Sequence, residues 1–206
     1  MSTVLEIITR SARAMGVVRS GKVPAGADAE DLLQKMQDVI NALPRLRGRW
    51  ADVTLTSAAA YTATDGERIH TSGYSATITL PTTYVDANNV TQRQRDMSRV
   101  QIIGGDQVGL WIYAASNGTW ARCDALALSD ESPFGPEDDI GLASLTAVEA
   151  SPEYNAELGE VTLQRAADAL NSFRTRFYRE VIVPMDPAYL VMSDNGYNTL
   201  GGLYES

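Results

Sequence analysis

Ile140 to Tyr178 reads IGLASLTAVEASPEYNAELGEVTLQRAADALNSFRTRFY, the longest stretch of helical periodicity in the chain. It is interrupted at Ala150-Ser151-Pro152-Glu153-Tyr154. Pro152 cannot continue a helix and biases Ser151 away from the αR region. The spacing therefore predicts two helices joined by a tight elbow, the second restarting from Glu153. Beyond the elbow, Leu163, Ala166, Ala167, Leu170, Phe173 and Phe177 fall on one apolar stripe of a long helix facing a core. Ala166, Ala167 and Ala169 allow a neighbouring helix to approach closely, within one subunit or between neighbours.

Working outward, Thr3-Val4-Leu5-Glu6 is a capping box that starts a first helix. Val4, Ile7, Ile8, Ala12 and Met15 form its stripe, Ser11 shares that face, and Gly16 suits the position just past its end. A second helix follows from about Asp28, with Leu32, Leu33, Met36, Val39, Ile40 and Leu43 as its buried face, and Pro44 ends it. Arg45, Arg47 and Arg49 then alternate with Leu46, Gly48 and Trp50, and read best as charge complementing a helix C-terminus.

At Ala51 the composition turns to Thr, Val, Ile and Tyr with close turn signals. Val53–Thr56, Glu67–Thr71, Ala76–Leu80, Arg99–Ile103, Leu110–Tyr113 and Thr119–Cys123 read as strands, and Ser116-Asn117-Gly118 as a hairpin turn. The expectation is a small antiparallel β module of about six strands, in a sandwich or barrel, inserted between two helical halves.

The balance of charge excludes several functions. The chain has 206 residues and a formal net charge of -9, and Lys22 and Lys35 are its only lysines. Such a chain is poorly suited to gripping nucleic acid by its phosphates. Asp124 to Glu160 carries ten carboxylates and no Lys or Arg. Within it Glu137, Asp138 and Asp139 stand in the first turn of a helix, where they complement its dipole. The N-terminus lacks a basic region followed by an apolar block, and no run is long enough to span a bilayer, so a soluble protein is expected.

Chemistry finds little to work with. Cys123 is the one cysteine and His70 the one histidine, too few for a metal site. No nucleophile elbow surrounds any serine. The acids lack the calcium-loop spacing, and Gly104-Gly105-Asp106 precedes no helix and lacks the lysine of a phosphate loop. Trp111, Tyr113 and Trp120 could form a sugar-binding face, but their alternation with apolar residues favours core filling. No enzyme, metal or cofactor is expected. The tail from Pro184 to Ser206 lacks periodicity yet is too apolar for a solvated end. Its Tyr189, Leu190, Tyr197, Leu200, Leu203 and Tyr204 suit an extended arm laid on a partner.

The ordered set of parts carries a resemblance: a helix ending at Ala14-Met15-Gly16-Val17, a second helix running from Leu32 with Met36-Gln37-Asp38 towards Trp50, a β excursion, a helix, the Ala150, Pro152, Glu153, Tyr154 elbow and an Ala-rich helix. It resembles the head-to-tail adaptor family of tailed bacteriophages, the tail accessory or packaged-DNA-stabilisation proteins, and their relatives in gene transfer agents. The likeness covers Thr3 to Trp50 and Ile140 to Tyr178; the β module of about seventy residues departs from the short connection expected there. The resemblance implies the bundle of about four helices (1–50 and 136–183) of an α+β chain whose antiparallel β insertion (51–126) and extended C-terminal arm (184–206) are read from the residues themselves. It implies a structural virion protein at the head–tail junction, made in the host cytoplasm. The subunits would form a homo-oligomeric ring, commonly a dodecamer, below the portal. The ring would extend the DNA channel, docking tail or nozzle proteins and passing DNA without sequence-specific binding. The arm would reach the portal, and Glu137, Asp138 and Asp139 are candidates for lining the channel, where repulsion lets DNA slide. The alternative is a virion module that binds glycan or host surface through its β part.

Overall fold

The computed structural model describes residues 2–24, 26–44, 49–71 and 77–177. Helix α1 (Val4–Ala14) begins at the expected capping box: Glu6 N donates to Thr3 Oγ1 at 3.3 Å, and Thr3 N donates to Glu6 Oε2 at 3.1 Å. Two more first-turn N–H groups are satisfied from a distant segment, Val4 N by Asp130 O and Leu5 N by Leu128 O. The helix ends in a Schellman motif, with Gly16 at φ +74°, Gly16 N on Arg13 O and Val17 N on Ala12 O. Helix α2 (Ala27–Ala42) buries Ala29, Leu32, Met36 and Ile40, with Leu43 just beyond its end.

Helix α3 (Asp139–Ala150) packs against α1, α2 and helix α4 (Glu160–Phe177). Enclosed on three sides, it buries Leu142, Ala143, Ala147 and Ala150 together with Ser144 and Thr146. Those two hydroxyls are tolerated because each donates to the carbonyl four residues back, at 2.9 and 2.8 Å. Ser11 Oγ of α1 lies 2.8 Å from Ala143 O and ties the two helices together.

The elbow is longer than expected. The chain does not re-enter a helix at Glu153 but runs without regular structure from 151 to 159, where Asn155 takes φ +47°. Only beyond Gly159, whose carbonyl accepts from Thr162 N and Leu163 N, does α4 start. Its buried face is also narrower than the sequence stripe. Ala166, Phe173 and Phe177 are buried, whereas Leu163 and Ala167 are exposed. Close helix packing does occur inside the chain: a Cβ added at Gly141 of α3 would stand 2.6 Å from Ala169 Cβ. Overpacking of that kind costs about 1–3 kcal/mol, against about 1 kcal/mol gained when alanine replaces glycine in a helix. Gly141→Ala is therefore expected to lower stability by roughly 1 kcal/mol. Ala169→Gly in the same chain should recover part of the loss, read as positive coupling in a thermal double-mutant cycle. A G141A protein stabilised by its extra methyl would refute the contact.

Among the described residues the β region holds nine short strands rather than six, and its main sheet is mixed rather than antiparallel. Strands β1 (Ala51–Thr54), β3 (Glu67–His70), β7 (Ser98–Ile103), β8 (Gly109–Ala114) and β9 (Thr119–Arg122) lie in the order β1-β3-β7-β8-β9. The first three are parallel and the last three antiparallel, with Ser116–Gly118 forming the expected hairpin turn. Strands β2 (Tyr61–Thr62) and β4 (Ile78–Thr79) form a separate parallel pair, and β5 (Thr83–Val85) and β6 (Thr91–Arg93) an antiparallel hairpin. Ala51 pairs with Glu67 and Tyr61 with Ile78, so β1–β2 and β3–β4 are successive turns of one parallel coil. Asp65-Gly66 thus turns the chain from one layer to the next instead of folding it back on itself.

The main sheet separates two cores. One face places Leu110, Ile112 and Cys123 in the cluster built by all four helices, with Met97 and Phe134. The other places Ile69, Val100 and Ile102 against Ala63 and Ile78 of the coil, where Trp111 and Trp120 also pack. Strand period two explains the division, Leu110 and Ile112 pointing one way and Trp111 the other. The fold is α+β with four helices among the described residues, and the sheet shares its core with them.

Candidate functional site

Of the three acidic residues proposed for a channel surface, Glu137 alone is exposed. Asp138 and Asp139 are 7 % and 1 % exposed. They stand at the start of a helix packed on three sides, so successive positions there turn inward. Asp138 Oδ1 accepts from Arg176 Nη1 at 2.6 Å, and Asp96 Oδ2 accepts from Arg176 Nε at 2.6 Å. The Arg176 guanidinium also lies 5.6 Å from the Phe173 ring centroid. One cation in the last turn of α4 thus joins the start of α3 to the turn before β7. Burial pushes the Asp138 carboxyl above its ordinary range, and the Arg176 partner opposes that shift. Asp139 Oδ2 has Arg10 Nη1 at 3.8 Å.

A second arginine locks the helices to the sheet. Arg99 of β7 is fully buried. Its guanidinium donates to Pro44 O at the end of α2 and to Arg49 O, and stacks 3.9 Å from the Trp50 ring centroid. Arg68 covers Trp50 as well, at 5.4 Å. The basic run at the α2 exit therefore matters here through its backbone, its carbonyls meeting a cation from the sheet. Arg45 and Arg47 lie outside the described residues, as do Tyr189, Leu190, Tyr197, Leu200, Leu203 and Tyr204 of the C-terminal arm.

The candidates for chemistry are not brought together. His70 Nε2 lies 3.5 Å from Asp52 Oδ1. Cys123 is buried in the helix-side core, and burial pushes its thiol far above the ordinary range. Among the described residues no three His, Cys, Asp or Glu side chains are grouped to hold a metal ion. The aromatic trio fills space: Trp111 Nε1 donates to Gln107 O, Trp120 Nε1 to Pro81 O, and Tyr113 meets Trp120 edge-on at 5.6 Å. Trp120→Ala should cost about 2 kcal/mol in urea unfolding, short of the 3–5 kcal/mol typical of a fully buried Trp. A variant as stable as the parent would return the indole to the surface.

What the helices do present is apolar surface. Ile140 and Val148 of α3 are 53 % and 37 % exposed, and Val161 and Leu163 of α4 are 63 % and 48 % exposed. Leu170, on the same stripe as Leu163 and Ala167, lines a groove of about 220 Å³ with Val39, Ala42, Leu43 and Leu145. The carboxylates of Asp38 and Glu149 complete the lining. Among the described residues no helix is long and apolar enough to cross a membrane. No protein-family model matches the chain, and no curated protein does.

Proposed function

We propose that the chain is a structural head-to-tail adaptor of a tailed bacteriophage or gene transfer agent, working as one subunit of a ring below the portal. The observation that carries the reading is the apolar groove lined by Val39, Ala42, Leu43, Leu145 and Leu170, with the exposed Leu163 on the same α4 stripe as Leu170. Scattered single apolar residues need no partner, but an apolar groove between helices with an exposed leucine on the same stripe suits burial against another subunit. The order of the helices in the sequence resembles that of the adaptor family, which supports the reading. The net charge of -9 suits a channel that DNA passes through without adhering. In this reading the segment 184–206 reaches the portal, tail proteins dock on the far side, and no catalytic turnover takes place.

Mass measurement of the full chain, alone and mixed with portal rings, tests the proposal. The expected result is a closed ring, either alone or on the portal template, and the loss of that ring in Leu163→Glu with the fold retained. A chain that neither closes into a ring nor binds a portal overturns the reading.

A further inference from the structure

Helix α4 lies on α3 with a cleft along each flank, and the two flanks carry opposite charge. On one flank is the Leu145–Leu170 groove, with the carboxylates of Asp38 and Glu149 in its lining. On the other, Arg10 of α1 and Arg165 of α4 line a cleft together with Ile140, itself more than half exposed. Helical phase keeps the two sets apart. Arg165 and Leu170 are five residues apart on α4, as are Ile140 and Leu145 on α3, which sets each pair about 140° apart around its axis.

Local partners do not cancel either charge. Asp38 accepts from Gln34 Nε2 at 3.1 Å. Lys35 pairs with Glu153 and is also attracted by Glu149 and Asp38, so one cation stands among three carboxylates. Arg174, one turn beyond Leu170, is not part of the groove lining. On the opposite flank Arg10 Nη1 is 3.8 Å from the buried Asp139 Oδ2, and Arg10 Nη2 donates to Ser2 Oγ at 3.4 Å. One carboxylate there meets two guanidiniums, and Asp168, which accepts from Gln164, lies outside that lining. An exposed isoleucine beside two arginines is thus matched, on the far flank, by an apolar groove beside two carboxylates.

We infer that the groove receives the Ile140 flank of a second copy of this chain. Ile140 enters beside Leu145 and Leu170, while Arg10 and Arg165 meet Asp38 and Glu149. Because the giving and receiving surfaces are on opposite flanks, the contact is head-to-tail. Each copy offers its groove to one neighbour and its Ile140 to the other, so successive copies follow one rotation. Burial of Ile140 in the groove supplies the apolar part of the contact, and the charges on its rim set partner and orientation. The inference rests on the adaptor reading, whose ring needs one such contact repeated, and it names the surface that fills the groove.

The test is sedimentation equilibrium of the full chain at low salt, with native mass measurement of the species formed. The parent should associate beyond the dimer, with a Kd per contact below about 1 mM. Glu149→Arg and Arg165→Glu, both at exposed positions, should melt as the parent does and each associate at least about tenfold more weakly. An equal mixture of the two variants should associate like the parent, because an arginine again faces a glutamate in every contact. The double variant E149R/R165E should do the same on its own. R165E associating as well as the parent would mean that groove meets groove. A parent that stays monomeric up to about 1 mM would leave the groove to a portal or tail protein. Either result overturns the inference, as does a mixture no better than its components. The adaptor reading fails separately: a parent that forms open chains through this contact and binds no portal overturns that reading and leaves the contact standing.

Discussion

Replacing Arg99 with methionine is expected to lower the stability of the protein by about 3–5 kcal/mol, since two buried acceptors each lose a charge-assisted hydrogen bond worth roughly 1.5–3 kcal/mol. The two carbonyls that Arg99 serves, Pro44 O and Arg49 O, belong to the backbone and remain after the substitution. Methionine fills much of the volume but donates nothing, so both acceptors lose a partner in a region closed to water. A whole buried ion pair can often be exchanged for apolar residues without loss; here only the donor can be exchanged. For a chain of this length the loss corresponds to roughly 6–20 °C in melting temperature. Arg99→Lys keeps the charge but lacks the planar fork needed to meet two carbonyls while lying on Trp50, and should fall between. Urea unfolding monitored by tryptophan fluorescence suits the measurement, because Trp50 itself is stacked on the guanidinium. An R99M protein within about 0.5 kcal/mol of the parent would show that Arg99 does not fasten the sheet to α2.

What could be read from the sequence follows from how local each signal is. The α1 capping box, its stripe and the Gly16 stop involve residues within one or two turns, and all are present. All six strands read from alternation also lie within the observed strands or overlap them. Their direction was not legible: alternation records which face a residue points to and carries no information about which neighbour the strand pairs with. Strands β2, β5 and β6 are two or three residues long, too short for any period to register. The elbow misled because Pro152 is a strong punctuation mark, whereas the left-handed turn at Asn155 depends on its surroundings. Leu163 and Ala167 are on the apolar stripe, yet α3 is too narrow a partner to cover them. The site was least legible of all. Asp138 meets a cation 38 residues away and Asp96 one 80 residues away, and Arg99 reaches carbonyls 50 and 55 residues off. Buried arginines look like surface charge in a sequence, since nothing in the neighbouring residues announces the acceptors.

The second large effect is expected at Arg176. Arg176→Ala removes the shared partner of Asp138 and Asp96, and with it the tie between the end of α4 and the start of α3. The Asp138 side chain is 8 % exposed, so its carboxylate would be left buried and unpaired, at a cost of about 3–5 kcal/mol near neutral pH. Asp96, 30 % exposed, can turn to water and adds less. The pH dependence separates this from a mere packing defect. Burial already holds the Asp138 carboxyl above its ordinary value of 3.8. Between that value and the raised one the folded protein keeps a proton that the unfolded chain has lost. Asp138 therefore contributes stability fully below the unfolded value and loses that contribution as the pH rises through its folded value. Without Arg176 the folded value rises further, because the attraction that favoured the ionised form is gone. The deficit of R176A relative to the parent should thus be largest near pH 7 and shrink as the solution is acidified and Asp138 becomes neutral. Asp138→Asn makes the complementary measurement. Its amide oxygen can still accept from Arg176 Nη1 and no buried charge remains, so it should stay within about 1 kcal/mol of the parent. In the R176A background it should abolish most of the extra pH dependence. A deficit in R176A that stays the same from pH 7 down to the ordinary carboxyl value of 3.8 would locate the loss in the Phe173–Arg176 packing instead, and Asp138 would then have no part in holding α3 to α4.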